Sequence, residues 1–167
     1  AICVMNKNKV VAIPSKRRVN KATVAKLISH EICTHVYRST QAAHSPLQLL
    51  RLGLDHYLMP EEGIATTNEQ ILAGEFINFS GETKYFAIGL VQGIDGIKRD
   101  FRTVYEIMKE YLFLRHPSKD QDYFNEKSWN LCVRIFRGTP ANYKGVCYTK
   151  DLIYYEGNIK IWQLLLK

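Results

Sequence analysis

The stretch that most constrains the fold is His30-Glu31-Ile32-Cys33-Thr34-His35, at the end of an amphipathic run. Two imidazoles with a carboxylate beside the first supply two metal ligands and a general base of the kind a zinc hydrolase uses. In the familiar version the histidines are four apart, about 40° around a helix, and both reach one metal. Here they are five apart, and an ideal α-helix splays such a pair by roughly 140°. Both reach one ion only if the helix is overextended, as in a π-bulge, a feature frequent at functional sites, or if it unwinds just before His35. The bland alternative is one buried and one capping histidine.

A second stretch, Pro60-Glu61-Glu62-Gly63-Ile64-Ala65, opens another helix with two carboxylates. Glu62 follows His35 by 27 residues, room for a loop and a short helix to return a third ligand. Two His and one Glu, with water in the fourth position, form the catalytic zinc set of thermolysin-like enzymes. Glu61 is accounted for by the usual acidic decoration of a helix first turn, which offsets the macrodipole.

The HEIxTH pattern of residues 30–35 and the (Q/E)EGLA-like Glu61-Glu62-Gly63-Ile64-Ala65 resemble the QEGLA-motif metallopeptidase family, whose eukaryotic members are the microtubule-associated tyrosine carboxypeptidases. Trp129-Asn130-Leu131-Cys132-Val133-Arg134 with Arg137-Gly138 is similar to the family's arginine-containing helix and the turn after it. Tyr148-Thr149-Lys150-Asp151 with Tyr154, Glu156 and Gly157 is similar to its (F/Y)(S/T)KDxxYL(D/E)G segment. The resemblance implies a zinc carboxypeptidase and, for the eukaryotic members, removal of the C-terminal tyrosine of tubulin. Members of the family are longer ahead of the His motif. Because the chain starts at Ala1 inside what reads as a strand, a trimmed core of a longer chain is expected.

The chemistry expected is therefore Zn²⁺ held by His30, His35 and Glu62, with Glu31 taking a proton from water and passing it to the leaving amine. A carboxypeptidase must also hold a terminal carboxylate, for which Arg is well suited. Arg134, Arg137 and Lys150 are the candidates because they lie in the later motifs, and Tyr154 is a candidate oxyanion donor or pocket wall. The reaction expected is release of a C-terminal, tyrosine-like residue from an acidic protein tail. A non-catalytic metal-binding or interaction module and a basic nucleic-acid-binding domain are the alternatives.

At 167 residues one catalytic domain over 1–167 is expected. The net charge of +7 suits an acidic partner or nucleic acid. There is no zinc-finger spacing, RNP-like strand or long basic run, so nucleic acid is disfavoured. The four cysteines form no CxxC pair and follow no signal peptide, which points to free thiols in the cytoplasm. Cys33 is read as a small buried apolar residue. No apolar run approaches the length of a membrane span.

Along the chain, 2–5 and 9–13 read as a β-hairpin around Asn6-Lys7-Asn8-Lys9, an edge on which substrate could lie, and Pro14 ends it. Asn20 caps a helix with the apolar stripe Val24, Leu27, Ile28 and Ile32, leaving His30 and Glu31 facing a cleft. Residues 36–45 read as a polar connection with Arg38 and an exposed His44, and Leu47–Leu54 as a leucine-rich helix. A turn containing a structural His56 follows, and then the Glu62 helix runs to Gly74. Four further helices are predicted: 82–93; 101–114 behind Asp100; 119–136, stopping at Gly138; and one from Lys150 onward. This makes a mainly α member of the α+β class: a zincin-like, gluzincin-type core with a short hairpin and about seven helices.

Overall fold

The computed structural model describes residues 3–5, 10–12, 18–75 and 81–167. These residues are overwhelmingly helical, which overturns the α+β, zincin-like assignment. The described strand residues amount to β1 (Cys3–Met5) and β2 (Val10–Ala12), antiparallel with Val4 opposite Val11. A ladder this short offers no sheet face on which helices can pack, so the helices cover one another instead. Asn6 to Lys9 and Pro14 lie outside the described residues. Among those described, no helix is long and apolar enough to cross a membrane.

The chain divides into two compact units, 1–80 with 153–167, and 81–152. In the first, α1 (Lys21–Leu27), a π-helical segment Ile28–Val36 and α2 (Tyr37–Ala43) run on without a break. Asn20 caps α1, its side chain accepting from the Thr23 amide at 2.8 Å. The π register shows in the Tyr37 amide, which donates to Ile32 O, and in the Thr34 hydroxyl, which donates to Ser29 O at 3.1 Å. That register breaks the 3.6-residue stripe. Val24, Ile28 and Ile32 are 37%, 50% and 43% exposed instead of forming a core face, and Cys33 is exposed as well. Residues 36–45 are mostly helix rather than a connection, because α2 continues from the π segment and buries Ala42.

The leucine-rich stretch forms only the 3-10 turn Gln48–Arg51. Leu47, Leu49, Leu52 and Leu54 are exposed; with no face to bury, a short helix gains too little to nucleate. The next helix, α3 (Leu58–Ala73), starts two residues ahead of Pro60, which is tolerated in a first turn where amides lack partners. It ends at left-handed Gly74, with the Glu75 amide donating to Gln70 O at 3.0 Å. The last helix, α7 (Leu152–Leu165), crosses α3 where Gly157 meets Gly63. Buried Asn158 donates to Thr67 Oγ1 at 2.9 Å and Gln70 Oε1 at 2.7 Å, and Trp162 donates to Gln70 Oε1 at 2.8 Å.

The second unit is built on α4 (Glu82–Gln92), α5 (Phe101–Arg115) and α6 (Gln121–Ile135), close to the predicted bounds. Asp100 and Asp120 cap α5 and α6 through the Thr103 and Tyr123 amides. Ala87, Ile88, Leu90 and Val91 of α4 pack with Val104, Met108, Cys132, Ile135 and Phe136. Val104 and Met108 point inward as their spacing predicts, and Phe101, Tyr105, Ile107 and Tyr111 pack around them.

Candidate metal centre

Hydrogen bonding from i to i+5 stacks residues five apart on one side of a helix. His30 and His35 therefore face each other, with ring centroids 5.1 Å apart and planes at 63°. One ligand atom from each of His30, Glu31 and His35 lies within 4.8 Å of the others. Among the described residues Glu31 makes no hydrogen bond or ion pair.

From α3, Glu62 Oε2 comes within 3.3 Å of His30 Nε2 and 3.7 Å of His35 Nε2. Neither approach has hydrogen-bond geometry, and Glu62 Oε2 is a buried oxygen with no hydrogen-bond partner. A buried polar atom left this way is costly and rare. The group that could hold a metal ion, with ligand atoms all within 4.8 Å of one another, is His30, Glu31 and His35, and Glu62 Oε2 approaches both imidazoles from α3 as a further donor.

The far side of each imidazole is also occupied. His30 Nδ1 lies 2.5 Å from Glu69 Oε1, and His35 Nδ1 lies 3.0 Å from Glu61 Oε1. Glu61 is thus more than decoration of a helix first turn; it is 6% exposed and also accepts from Arg38 Nε at 2.7 Å. Arg38 NH1 donates to the carbonyls of Leu50 at 2.9 Å and Arg51 at 3.3 Å, and the guanidinium lies 5.1 Å from the Tyr57 ring centroid. Glu69 was not singled out by motif. Its position seven residues after Glu62, two turns along one helix face, is the signal that could have found it. His44 and His56 are exposed and stand apart from this cluster.

These contacts set the charge states of the metal-free chain. Burial disfavours a protonated His30, but the Glu69 hydrogen bond and the nearby negative charges of Glu62 and Glu69 outweigh it and lift its pKa to about 10. Burial likewise opposes protonation of His35, and Glu61 and Glu62 raise it to about 9. Burial pushes Glu62 up, yet the two imidazoles hold it down at about 2. Glu61 is lowered by His35 and Arg38 against the same burial cost.

In the second unit the later motifs converge on Asp151, which is 1% exposed. Arg134 donates to it through Nε at 2.6 Å and NH2 at 3.0 Å, and Arg137 through NH1 at 3.2 Å and NH2 at 3.4 Å. Arg137 also lies 3.9 Å from the Tyr148 ring centroid and donates to Arg134 O. Both guanidinium groups, expected to read a substrate carboxylate, are therefore engaged within the protein. Lys150 is exposed, makes no hydrogen bond or ion pair among the described residues, and lines an open depression with Arg137, Thr139, Tyr148 and Thr149. Tyr154 is half-buried on α7.

A family model described as microtubule-associated tyrosine carboxypeptidase matches residues 2–167. The chain is 25% identical over 139 residues to Microtubule-associated tyrosine carboxypeptidase 1 of Homo sapiens, covering 81% of this chain and 26% of that protein. Against the protein of the same name from Mus musculus the identity is 26% over 139 residues, covering 81% of this chain and 27% of that one. The matched stretch is thus only about a quarter of the length of these relatives. No solved structure matches the chain significantly. The chain belongs to the microtubule-associated tyrosine carboxypeptidase family.

Proposed function

We propose that the chain carries the metal-binding catalytic core of a zinc-dependent carboxypeptidase. The observation that carries this reading is the convergence of His30 Nε2, His35 Nε2 and Glu62 Oε2 without hydrogen bonds among them. Two donors about 2.1 Å from one tetrahedral zinc lie about 3.4 Å apart, and the separations from Glu62 are 3.3 and 3.7 Å. Two imidazoles and a carboxylate are also a donor set that suits this ion. When bound, zinc would polarise a peptide carbonyl and make water a stronger acid.

Glu31 is the proton carrier in this reading. Its carboxylate stands beside the donors and is uncommitted among the described residues, so it can take a proton from the attacking water and pass it to the departing amine. The substrate we propose is an acidic tail ending in an aromatic residue, tyrosine above all. The relatives' names state tyrosine carboxypeptidase, and the net charge of +7 favours an acidic partner. Arg134 and Arg137 are engaged by Asp151, which leaves neither guanidinium open to a terminal carboxylate without giving up that pairing. Cys33, Cys132 and Cys147 are free thiols, and with a microtubule substrate they fit action in the cytoplasm.

The test is mass spectrometry of an acidic peptide ending in tyrosine after incubation with zinc-loaded protein. Release of the single terminal residue is expected, with loss of release in Glu31→Gln and for the same peptide amidated at its C-terminus. Equal, internal cutting of both peptides would mean an endopeptidase. Stoichiometric zinc binding with no cleavage would favour a binding module.

A further inference from the structure

Each imidazole is held by two carboxylates on opposite sides of the ring. Nε2 of both rings faces Glu62, while Nδ1 of His30 meets Glu69 and Nδ1 of His35 meets Glu61. A ligating histidine needs its unprotonated nitrogen aimed at the ion, and an acceptor on the other nitrogen fixes both the tautomer and the ring plane. We propose that Glu69 and Glu61 are positioning residues for the metal centre, locking His30 and His35 as Nδ1–H tautomers with Nε2 presented to the metal, and that Arg38 holds Glu61 in place. The proposal rests on the zinc reading above.

The two arms differ in construction. Glu61 is nearly buried and fixed by Arg38, which is anchored on the Leu50 and Arg51 carbonyls, so the 3-10 turn Gln48–Arg51 is tied through two side chains to the His35 ring. Glu69 has a side chain 34% exposed, and among the described residues His30 is its hydrogen-bond partner. The His30 arm is therefore one contact deep and the His35 arm three. This makes Glu69 the cleaner probe, because replacing a part-exposed acid whose contact is with a metal ligand leaves the packing of α3 intact. It also makes the chain between α2 and α3 part of the centre: the leucine-rich turn, with little apolar surface buried, supplies the carbonyls that set Arg38.

The experiment is zinc titration of the metal-free protein against a chromophoric chelator, with thermal unfolding of the same metal-free samples and visible spectra of Co²⁺-loaded ones. Glu69→Ala is expected to weaken zinc binding by about 10- to 100-fold and to change the Co²⁺ bands, with the zinc-free unfolding midpoint little moved. Glu69→Gln is expected to stay within a few-fold of wild type, since its amide oxygen still accepts from Nδ1–H. Glu61→Ala should weaken binding by a similar factor, and Glu61→Gln should recover part of it. Wild-type affinity in both alanine variants, while His30→Ala loses zinc, would overturn the positioning role and leave the metal reading standing. A wild-type protein that binds no zinc, or a His30→Ala variant that binds as tightly, would overturn the metal reading and the proposal with it.

Discussion

Gly157 and Gly63 touch backbone to backbone: a Cβ on Gly157 would lie 3.1 Å from Gly63 Cα and 2.2 Å from the Met59 carbonyl oxygen. A Cβ on Gly63 would lie 2.5 Å from the Gly157 carbonyl. The obstacle in both cases is backbone, so no side-chain rotation relieves it. Glu62 immediately precedes Gly63, so a shift of α3 at this crossing would carry its carboxylate with it.

Gly157→Ala is accordingly expected to destabilise the protein by about 2 kcal/mol, the overpacking cost exceeding the propensity gain of about 1 kcal/mol for alanine in a helix. Chemical denaturation measures it, and zinc affinity should fall as well. Gly89 is the control, since a Cβ there meets only the Ile94 side chain at 3.5 Å. Gly89→Ala should be neutral or stabilising by up to about 1 kcal/mol. Equal effects at the two positions would show that the crossing does not demand glycine.

The pH dependence of the metal-free protein has a definite sign. His30 and His35 are raised to about 10 and about 9 from 6.5. Their contribution is fully present below pH 6.5 and is lost as pH rises through the folded values. Glu62, lowered from 4.5 to about 2, contributes above pH 4.5 and loses that contribution as pH falls towards 2. The metal-free melting temperature should therefore decline between pH 6.5 and 9. Zinc affinity should climb over the same range, because binding must release the imidazole protons. Calorimetric titration in buffers of different ionisation enthalpy counts those protons, and about two per zinc are expected at pH 7. A flat profile would show that the imidazoles are not charged in the metal-free state.

The backbone that brings the two histidines together was legible where the cause was local. The five-residue separation of His30 and His35 demanded a π-type backbone for a shared site, and Ile28–Val36 has it. Asn20, Asp100 and Gly74 act at the predicted helix ends because capping depends on one residue and its near neighbours. Glu61 and Glu69 were not legible, since a surface acid and an imidazole partner look alike until α3 is laid beside the π segment. The β-favouring residues near the N-terminus suggested an α+β core, but the β1–β2 ladder is too short for helices to pack on and the described residues are overwhelmingly helical. The Leu47–Leu54 run suggested a helix, but whether an apolar stretch is covered is a tertiary matter.

Asp151 tests the second unit. Its carboxylate is held down at about 2 by Arg134 and Arg137 despite burial, so its contribution is present above pH 3.8 and is lost as pH falls towards 2. Asp151→Asn should cost about 2 kcal/mol at pH 7, less than a fully buried pair because both arginine side chains reach solvent. Urea denaturation at pH 7 and pH 3 checks this, and the difference between wild type and variant should shrink at the lower pH. A constant difference would mean that Asp151 acts through its shape and not its charge.

The most direct test of the π segment is deletion of Cys33. Deletion leaves His30 and His35 four apart, the spacing at which a regular α-helix brings two histidines to one metal. Judged by motif alone, the variant should bind zinc at least as well. The structure argues the opposite. Removing one residue turns everything after it by about 100° around the helix axis and draws it back by about 1.5 Å. His35 would leave Glu61, Arg38 would leave the Leu50 and Arg51 carbonyls, and Thr34 would lose its bond to Ser29 O and the one it accepts from Asn68. Zinc affinity is expected to fall tenfold or more, the scale of losing an outer partner of a ligating histidine. The exposed Cys33→Ala control should keep wild-type affinity. Tighter binding by the deletion variant would mean that the extra residue serves something other than the metal.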